Sequence, residues 1–293
     1  MTISVDDAKL ALRMLAEGSS LRSTARITGL QRNTVCKLLL HFGDACRRFL
    51  DQRMRGLVLD HLQFDEQWTF VLKKQARLTI EQRERCHDIG DIYLWTCVDQ
   101  TTKLMPSFVV GKRSGDMARR FMLDVAGRLV WPKPHESDDH AFAHGSFRRI
   151  VQISTDAFAA YPEAVDLAFG AYVRWGTIVK QYRNAKIIYT PSEMIGTKRT
   201  PRRGMTKADK WTICTSHVER LNGTQRLMLK RLTYCFSKKL RNLEAAFSVF
   251  AAFYNFCWRT RKPGKLRPTA AMMAGLTDHT WTFDELFAAV LGG

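Results

Sequence analysis

"LVLDHLQFDEQWTFVLKK", residues 57–74, is the stretch on which the fold turns. Its apolar and polar residues alternate, the period of a strand with one buried face. Phe64, Trp68 and Phe70 fall on one face, and Asp65, Gln67 and Thr69 on the other. A carboxylate inside such a strand is costly unless paired or bound to a cation, so Asp65 is a candidate functional residue. Glu66 adjoins it but points to the opposite face, so Asp65 is the preferred acid.

The pattern continues outward. "DIYLWTCVD" (91–99) and "LMPSFVVGK" (104–112) read as two strands joined by the turn "DQTTK". "SGDMARRFMLDVAGRL" (114–129) reads as an amphipathic helix capped by Ser114. After the polar loop "WPKPHESDDHAFAHGS" (131–146), "RRIVQIST" is a buried strand ending at Asp156. "YPEAVDLAFG" (161–170) is a short helix, "YVRWGTIVKQY" (172–182) a fifth strand, and "SHVERLNGTQRLMLKRL" (216–232) a further helix. Strand, strand, strand, helix, strand, helix, strand, helix is an α/β order. It resembles that of the ribonuclease-H-like fold, a mixed five-stranded sheet flanked by helices. His135, His140 and His144 in the polar loop are too loosely spaced to argue for a metal site.

Residues 1–56 read as an all-α domain. In "LRSTARITGLQRNTVCKLLLHFG", Leu21, Ala25, Gly29, Val35 and Leu38 fall at helix-turn-helix spacing, with Gly29 permitting the tight turn. The second helix exposes Arg32, Asn33, Thr34 and Lys37, side chains able to reach bases or phosphates. A plain helical hairpin is the alternative. Residues 57–242 form the α/β domain, and 243–293 a helical extension that packs on it. "AAFSVFAAFYNFCW" (245–258) is too short to span a bilayer and reads as a core helix.

The charge is uneven. The chain carries 46 Lys+Arg and 28 Asp+Glu, a net +18, which points to a polyanion partner, most often nucleic acid. Residues 61–156 hold 14 basic and 13 acidic side chains, whereas residues 157–293 hold 22 and 9. The seven cysteines include no CxxC, which argues against a zinc knuckle or a disulfide framework. Reduced, mostly buried thiols fit a cytoplasmic protein, and the opening "MTISVDDAKL", without a basic region followed by an apolar stretch, does not read as a signal peptide.

Three acids form the candidate catalytic and metal site: Asp65, Asp156 at the C-terminal end of the fourth strand, and Glu219 at the start of the helix after the fifth. Ligands bind at that end of the strands in open α/β sheets. Carboxylates brought together repel unless a cation joins them, and Mg2+ prefers such oxygens. Asp99 reads as a turn residue or a supporting acid, and His217 as a helix-start residue or a phosphate contact. Asn222 and Arg226 share the helix face of Glu219, and Val218, Leu221, Met228, Leu229 and Leu232 form the buried stripe. Lys230, also in this helix, is a further candidate DNA contact. Just upstream, the basic segment "TKRTPRRGMTKADK" (197–210) lacks periodicity and reads as a loop; Arg199, Arg202 and Arg203 are its candidate phosphate contacts.

With "FDEQW" around Asp65, "STDAFAAYP" around Asp156 and "HVERLNGTQR" around Glu219, the chain resembles a DDE transposase, nearest to the insertion-sequence-one family. Arg226, seven residues after Glu219, matches a basic position of these enzymes, and "RPTAAMMAGLTDHTWTFDEL" (267–286) is similar to the family's tail. The resemblance implies two Mg2+ ions, with Mn2+ able to substitute, held by Asp65, Asp156 and Glu219. It implies cleavage of double-stranded DNA at element ends and strand transfer to target DNA, by a dimer or larger assembly at the bacterial nucleoid. The alternatives are a nuclease that cuts without joining and a DNA-binding regulator with an inactive core. The 62 residues between Asp156 and Glu219 exceed the short spacing of retroviral integrases, and no zinc-finger cysteines precede the helix-turn-helix.

Overall fold

The computed structural model describes residues 3–131, 151–179, 181–183, 186–189, 192–196, 207–259, 261–262 and 265–292. The chain opens with α1 (Val5–Ala16), α2 (Leu21–Thr28) and α3 (Arg32–Arg53). Ser4 and Ser20 cap the first two through their hydroxyls. Gly29 ends α2 at a φ of 72°, a left-handed conformation that costs glycine little. Thr24 is the fully buried residue of α2.

The sheet is built from β1 (His61–Val71), β2 (Gly90–Asp99), β3 (Phe108–Gly111), β4 (Val151–Asp156) and β5 (Val173–Ile178). Between β1 and β2 lies a helical turn, α4 (Ile80–Arg85); α5 (Gly115–Ala126) and α6 (Tyr161–Phe169) follow β3 and β4. The pieces β6 (Gln181–Arg183) and β7 (Lys186–Tyr189) pair only with each other, so the fifth strand is shorter than expected. The main sheet has six strands, not five. β8 (Ser192–Met194) adds antiparallel to β5, giving the order β3-β2-β1-β4-β5-β8. At three residues, β8 is too short to show alternation in the sequence. β1 runs antiparallel to β2 and parallel to β4.

Further on come α7 (Lys207–Thr212), α8 (Ser216–Met228), α9 (Leu240–Phe256), α10 (Ala270–Met273) and α11 (Phe283–Leu291). The last residues of the expected basic loop are thus helical. Arg199, Arg202 and Arg203, and the polar loop after Trp131 with its three histidines, lie outside the described residues.

The core lies on both faces of the sheet. On one, Phe64 and Trp95 meet Phe121 of α5 and Tyr161 of α6 in edge-on aromatic contacts. On the other side of the molecule, α9 is buried along nearly its whole length against α3. The two helices cross so closely that a Cβ on Gly43 would stand 2.6 Å from the Ala245 backbone. One apolar cluster therefore joins the N-terminal helices, the sheet and the C-terminal helices, and the 242/243 boundary falls inside α9.

Candidate metal centre

The parallel register of β1 on β4 sets the site. Leu62 stands opposite Ile153 and Gln63 opposite Ser154, so Asp65 and Asp156 lie near each other where the two strands part. Carboxylate oxygens of Asp65, Glu66 and Asp156 all lie within 4.8 Å of one another. Among the described residues this is the group of three acids able to share a cation; Glu219 stands outside it.

Glu66 corrects the expectation that the strand's alternation removes it from the site. Alternation sends its side chain to the opposite face from Asp65, yet its carboxylate lies with those of Asp65 and Asp156, just past the last β1–β4 pair, Gln63 with Ser154. Its side chain is only 1 % exposed. Tyr161 donates its hydroxyl to it, and Arg113 donates Nε at 3.1 Å. Burial, then the charge of Asp156 and that of Asp65, push its carboxyl up to about 8 against the pull of Arg113. Arg113 also reaches Asp156 at 3.6 Å and stacks 4.0 Å above the Phe158 ring. The backbone N–H of Phe158 donates to Asp156 at 3.0 Å, which fixes that carboxylate at the strand end.

Asp65 faces α8. Asn222 donates its side-chain amide to Asp65 at 2.5 Å. Asn222, which shares a face with Glu219 in the sequence and is a candidate DNA contact there, is buried at 5 % exposure and turned toward Asp65. Gln225 is also buried, and its amide donates to Thr96, the residue paired with Asp65 across β1 and β2. The helix thus buries a polar strip as well as its apolar stripe. The carboxamide oxygens of Asn222, Gln225 and Gln67 are buried without a hydrogen-bond partner among the described residues.

The placement of α8 depends on Gln63, which sequence reasoning missed. No residue of its own caps this helix. Instead the Gln63 carboxamide oxygen accepts from the backbone N–H of His217 at 2.9 Å and of Val218 at 3.1 Å. Gln63 shares the Asp65 face of β1, and its alternation with Asp65 and Gln67 was the available signal. Glu219 is exposed on the first turn of α8, and Thr215 donates its hydroxyl to it at 3.0 Å. Asp99 is a turn residue: buried at 1 % exposure, it accepts the backbone N–H groups of His61, Thr101 and Thr102. His217 stands 3.1 Å from the Lys103 amine; burial first, then Lys103, lower its pKa.

Of the candidate DNA contacts, Arg32, Asn33 and Lys37 are exposed at the start of α3, and Thr34 is half-buried. Arg226 is exposed on α8, and Lys230 sits 5.6 Å over the Tyr234 ring. Among the described residues no helix is long and apolar enough to cross a membrane.

The donor set suits a hard divalent cation. Three carboxylates meet one guanidinium, and oxygen ligands of this kind favour Mg2+ or Mn2+ over softer metals.

The architecture defines a mixed α/β protein with an open six-stranded sheet flanked by helices. No protein-family model matches the chain, and no curated protein matches it either. Solved structures similar to it include the piggyBac transposase in a synaptic complex with hairpin DNA. The TM-score there is 0.40 at 10% identity, over 99% of this chain and 73% of that one. A pre-cleavage Mos1 transpososome is similar with a TM-score of 0.24 at 10% identity, over 84% of this chain and 78% of that one. The Mos1 mariner paired-end complex with Mn gives 0.21 at 10% identity, over 57% of this chain and 58% of that one.

Proposed function

We propose that the chain is a DDE-type transposase of the insertion-sequence-one kind, with a ribonuclease-H-like catalytic domain and a helix-turn-helix domain that binds element ends. One observation carries this reading: Asp65 and Asp156, distant in sequence, converge with Glu66 within 4.8 Å. The resemblance of the segments around Asp65, Asp156 and Glu219 supplies the reaction class.

In this reading Asp65 and Asp156 hold divalent metal, Mg2+ or Mn2+, with Glu219 as the third acid supplied by α8. When bound, a pair of such ions supplies activation of an attacking oxygen and stabilisation of a leaving one on a phosphodiester. The chain's own groups position the acids: the Asn222 amide orients Asp65, and Arg113 with the Phe158 N–H orients Asp156. Glu66 is the nearest rival to Glu219 as third acid, because its oxygens already lie in the group. Arg32, Asn33, Thr34 and Lys37 would contact element ends. Arg199, Arg202, Arg203, Arg226 and Lys230 would hold phosphates, the net +18 favouring such a partner. Two ends must be brought together, so the working form is a dimer or larger, acting at the nucleoid.

The test is strand breakage of supercoiled plasmid DNA by the full chain, with and without Mg2+ or Mn2+. Metal-dependent nicking is expected, lost in Asp65→Asn and Asp156→Asn. Loss in Glu219→Gln assigns the third acid to Glu219, and loss in Glu66→Gln alone assigns it to Glu66. No metal-dependent breakage by the intact chain, on plasmid DNA or on an element's own ends, would overturn the reading. Joining of cut ends to a target separates a transposase from a nuclease.

A further inference from the structure

A second site lies away from the acids. The start of α3, the α1–α2 turn and the segment after α8 enclose an open cleft of about 910 Å3. Arg22, Arg32, Lys230, Arg231 and Lys238 line it, and among the described residues no acid does. A cleft lined by one sign of charge focuses a positive potential that draws anions.

Arg231 sharpens the point. Its guanidinium donates through Nη1 to Ser237 at 3.0 Å, while Nη2 is buried with no hydrogen-bond partner among the described residues. Burial lowers its pKa, so the charge is poorly solvated where it stands. An orphaned buried guanidinium nitrogen in an acid-free cleft fits a phosphate oxygen.

Aromatic rings flank the same cleft. Tyr234 is 85% exposed, with the Lys230 amine over its ring. Phe236 is held beside β1 because Ser237 bridges to Val71 and accepts the N–H of Leu72 at 2.9 Å. Its ring centroid lies 5.1 Å from that of Phe70, which lies 5.9 Å from that of Trp68. Trp68 and Phe236 are 43% and 42% exposed, large apolar surfaces left beside a basic cleft. Trp68 and Phe70 share the β1 face of Glu66, so the row of rings starts two residues from the acids and ends at the cleft.

We propose that this row and cleft bind nucleotide units, with bases stacked on Trp68, Phe236 and Tyr234 and phosphate held by Arg231 and Lys238. Basic grooves with aromatic platforms bind unpaired strands in this way, without reading sequence. The inference rests on the reading that the chain handles DNA but needs none of the metal chemistry.

The test is fluorescence anisotropy of the full chain in EDTA. Its probes are a labelled oligothymidylate, the same strand paired with oligoadenylate, and thymidine monophosphate as competitor. Tyr234→Ala, Phe236→Ala and Trp68→Ala change exposed rings. Each is expected to weaken single-strand binding on the order of ten-fold or more and duplex binding much less. Lys238→Ala is expected to flatten the log–log salt dependence for the single strand by roughly 0.7. Displacement by the mononucleotide at concentrations comparable to the strand assigns the cleft to free nucleotides; displacement only by strands assigns it to DNA. Unchanged single-strand binding in all three ring variants, or equal losses for strand and duplex, would overturn the proposal while leaving the proposed enzyme standing. A chain that binds no DNA in any form sinks both. Loss of self-association in Tyr234→Ala without loss of strand binding would make the surface a contact between copies instead.

Discussion

Asn222 on α8 donates its side-chain amide to Asp65 on β1 at 2.5 Å, so the helix meets the acid through a half-buried hydrogen bond. This bond ties the third element of the candidate site to its first. Hydrogen bonds to charged groups are worth about 1.5–3 kcal/mol.

Asn222→Asp places a carboxylate where the amide now donates. The variant is expected to melt lower than the wild type in EDTA and to recover much of the difference in Mg2+ or Mn2+, because a cation can join what repulsion separates. Thermal melts with and without metal check this. Equal melting of variant and wild type in EDTA would show that the bond contributes nothing.

Gln63→Leu removes the acceptor for the His217 and Val218 N–H groups. An unpaired buried donor costs about 1–3 kcal/mol, so a loss of about 2–4 kcal/mol in global stability is expected. Urea unfolding measures it, and a shift under about 0.5 kcal/mol, the scale of an ordinary surface substitution, would mean that α8 is capped in some other way.

Gly43→Ala should destabilise, although alanine favours a helix by about 1 kcal/mol over glycine. The added methyl would meet the Ala245 backbone at 2.6 Å, and backbone cannot swing away as a side chain can. Overpacking of this kind costs about 1–3 kcal/mol or more. A variant as stable as the wild type would place α3 and α9 further apart than described.

The pH dependence of one ion-pair network has a definite sign. Burial raises the Asp124 pKa, but hydrogen bonds from Arg128 and Ser107 outweigh it and hold the carboxyl below its ordinary range. A carboxylate depressed in the folded state stabilises above its unfolded value, about 3.9, and loses that contribution as pH falls through the folded value. Arg128 also bonds Asp51 at 3.0 Å, so the network joins α5 to α3. The stability difference between wild type and Asp124→Asn should therefore be constant near neutrality and shrink below about pH 4. A difference that grows on acidification would reverse the assignment.

Arg32→Ala and Lys37→Ala should each weaken DNA binding at the α3 face. A side chain that reads a base costs about 1–3 kcal/mol on removal and relaxes preference at one position. A gel-shift series over altered end sequences checks this, and unchanged binding would leave α3 a purely structural helix.

Much of the scaffold is set by local pattern. Residues 61–71 form β1, although the expected single apolar buried face does not hold there, since Gln63, Gln67 and Thr69 are buried and Trp68 is exposed; the serine hydroxyls start α1, α2 and α5, and Gly29 closes the α2–α3 turn. These depend on side-chain period and on hydrogen bonds within one turn, which a sequence displays directly. The nearness of Asp65 and Asp156 followed from one further step, that β1 and β4 are neighbours. What local pattern cannot carry is packing between distant segments. Glu66 belongs beside the aspartates because the strands part at that point, although alternation sends it to the other face. Asn222 is buried and Glu219 exposed because Gln63 fixes the rotation of α8 over β1, and the polar strip of that helix looks in sequence like a surface. The sixth strand, the α3–α9 crossing at Gly43 and the row of rings ending at Phe236 have the same origin: each is an encounter between residues whose separation along the chain hides it.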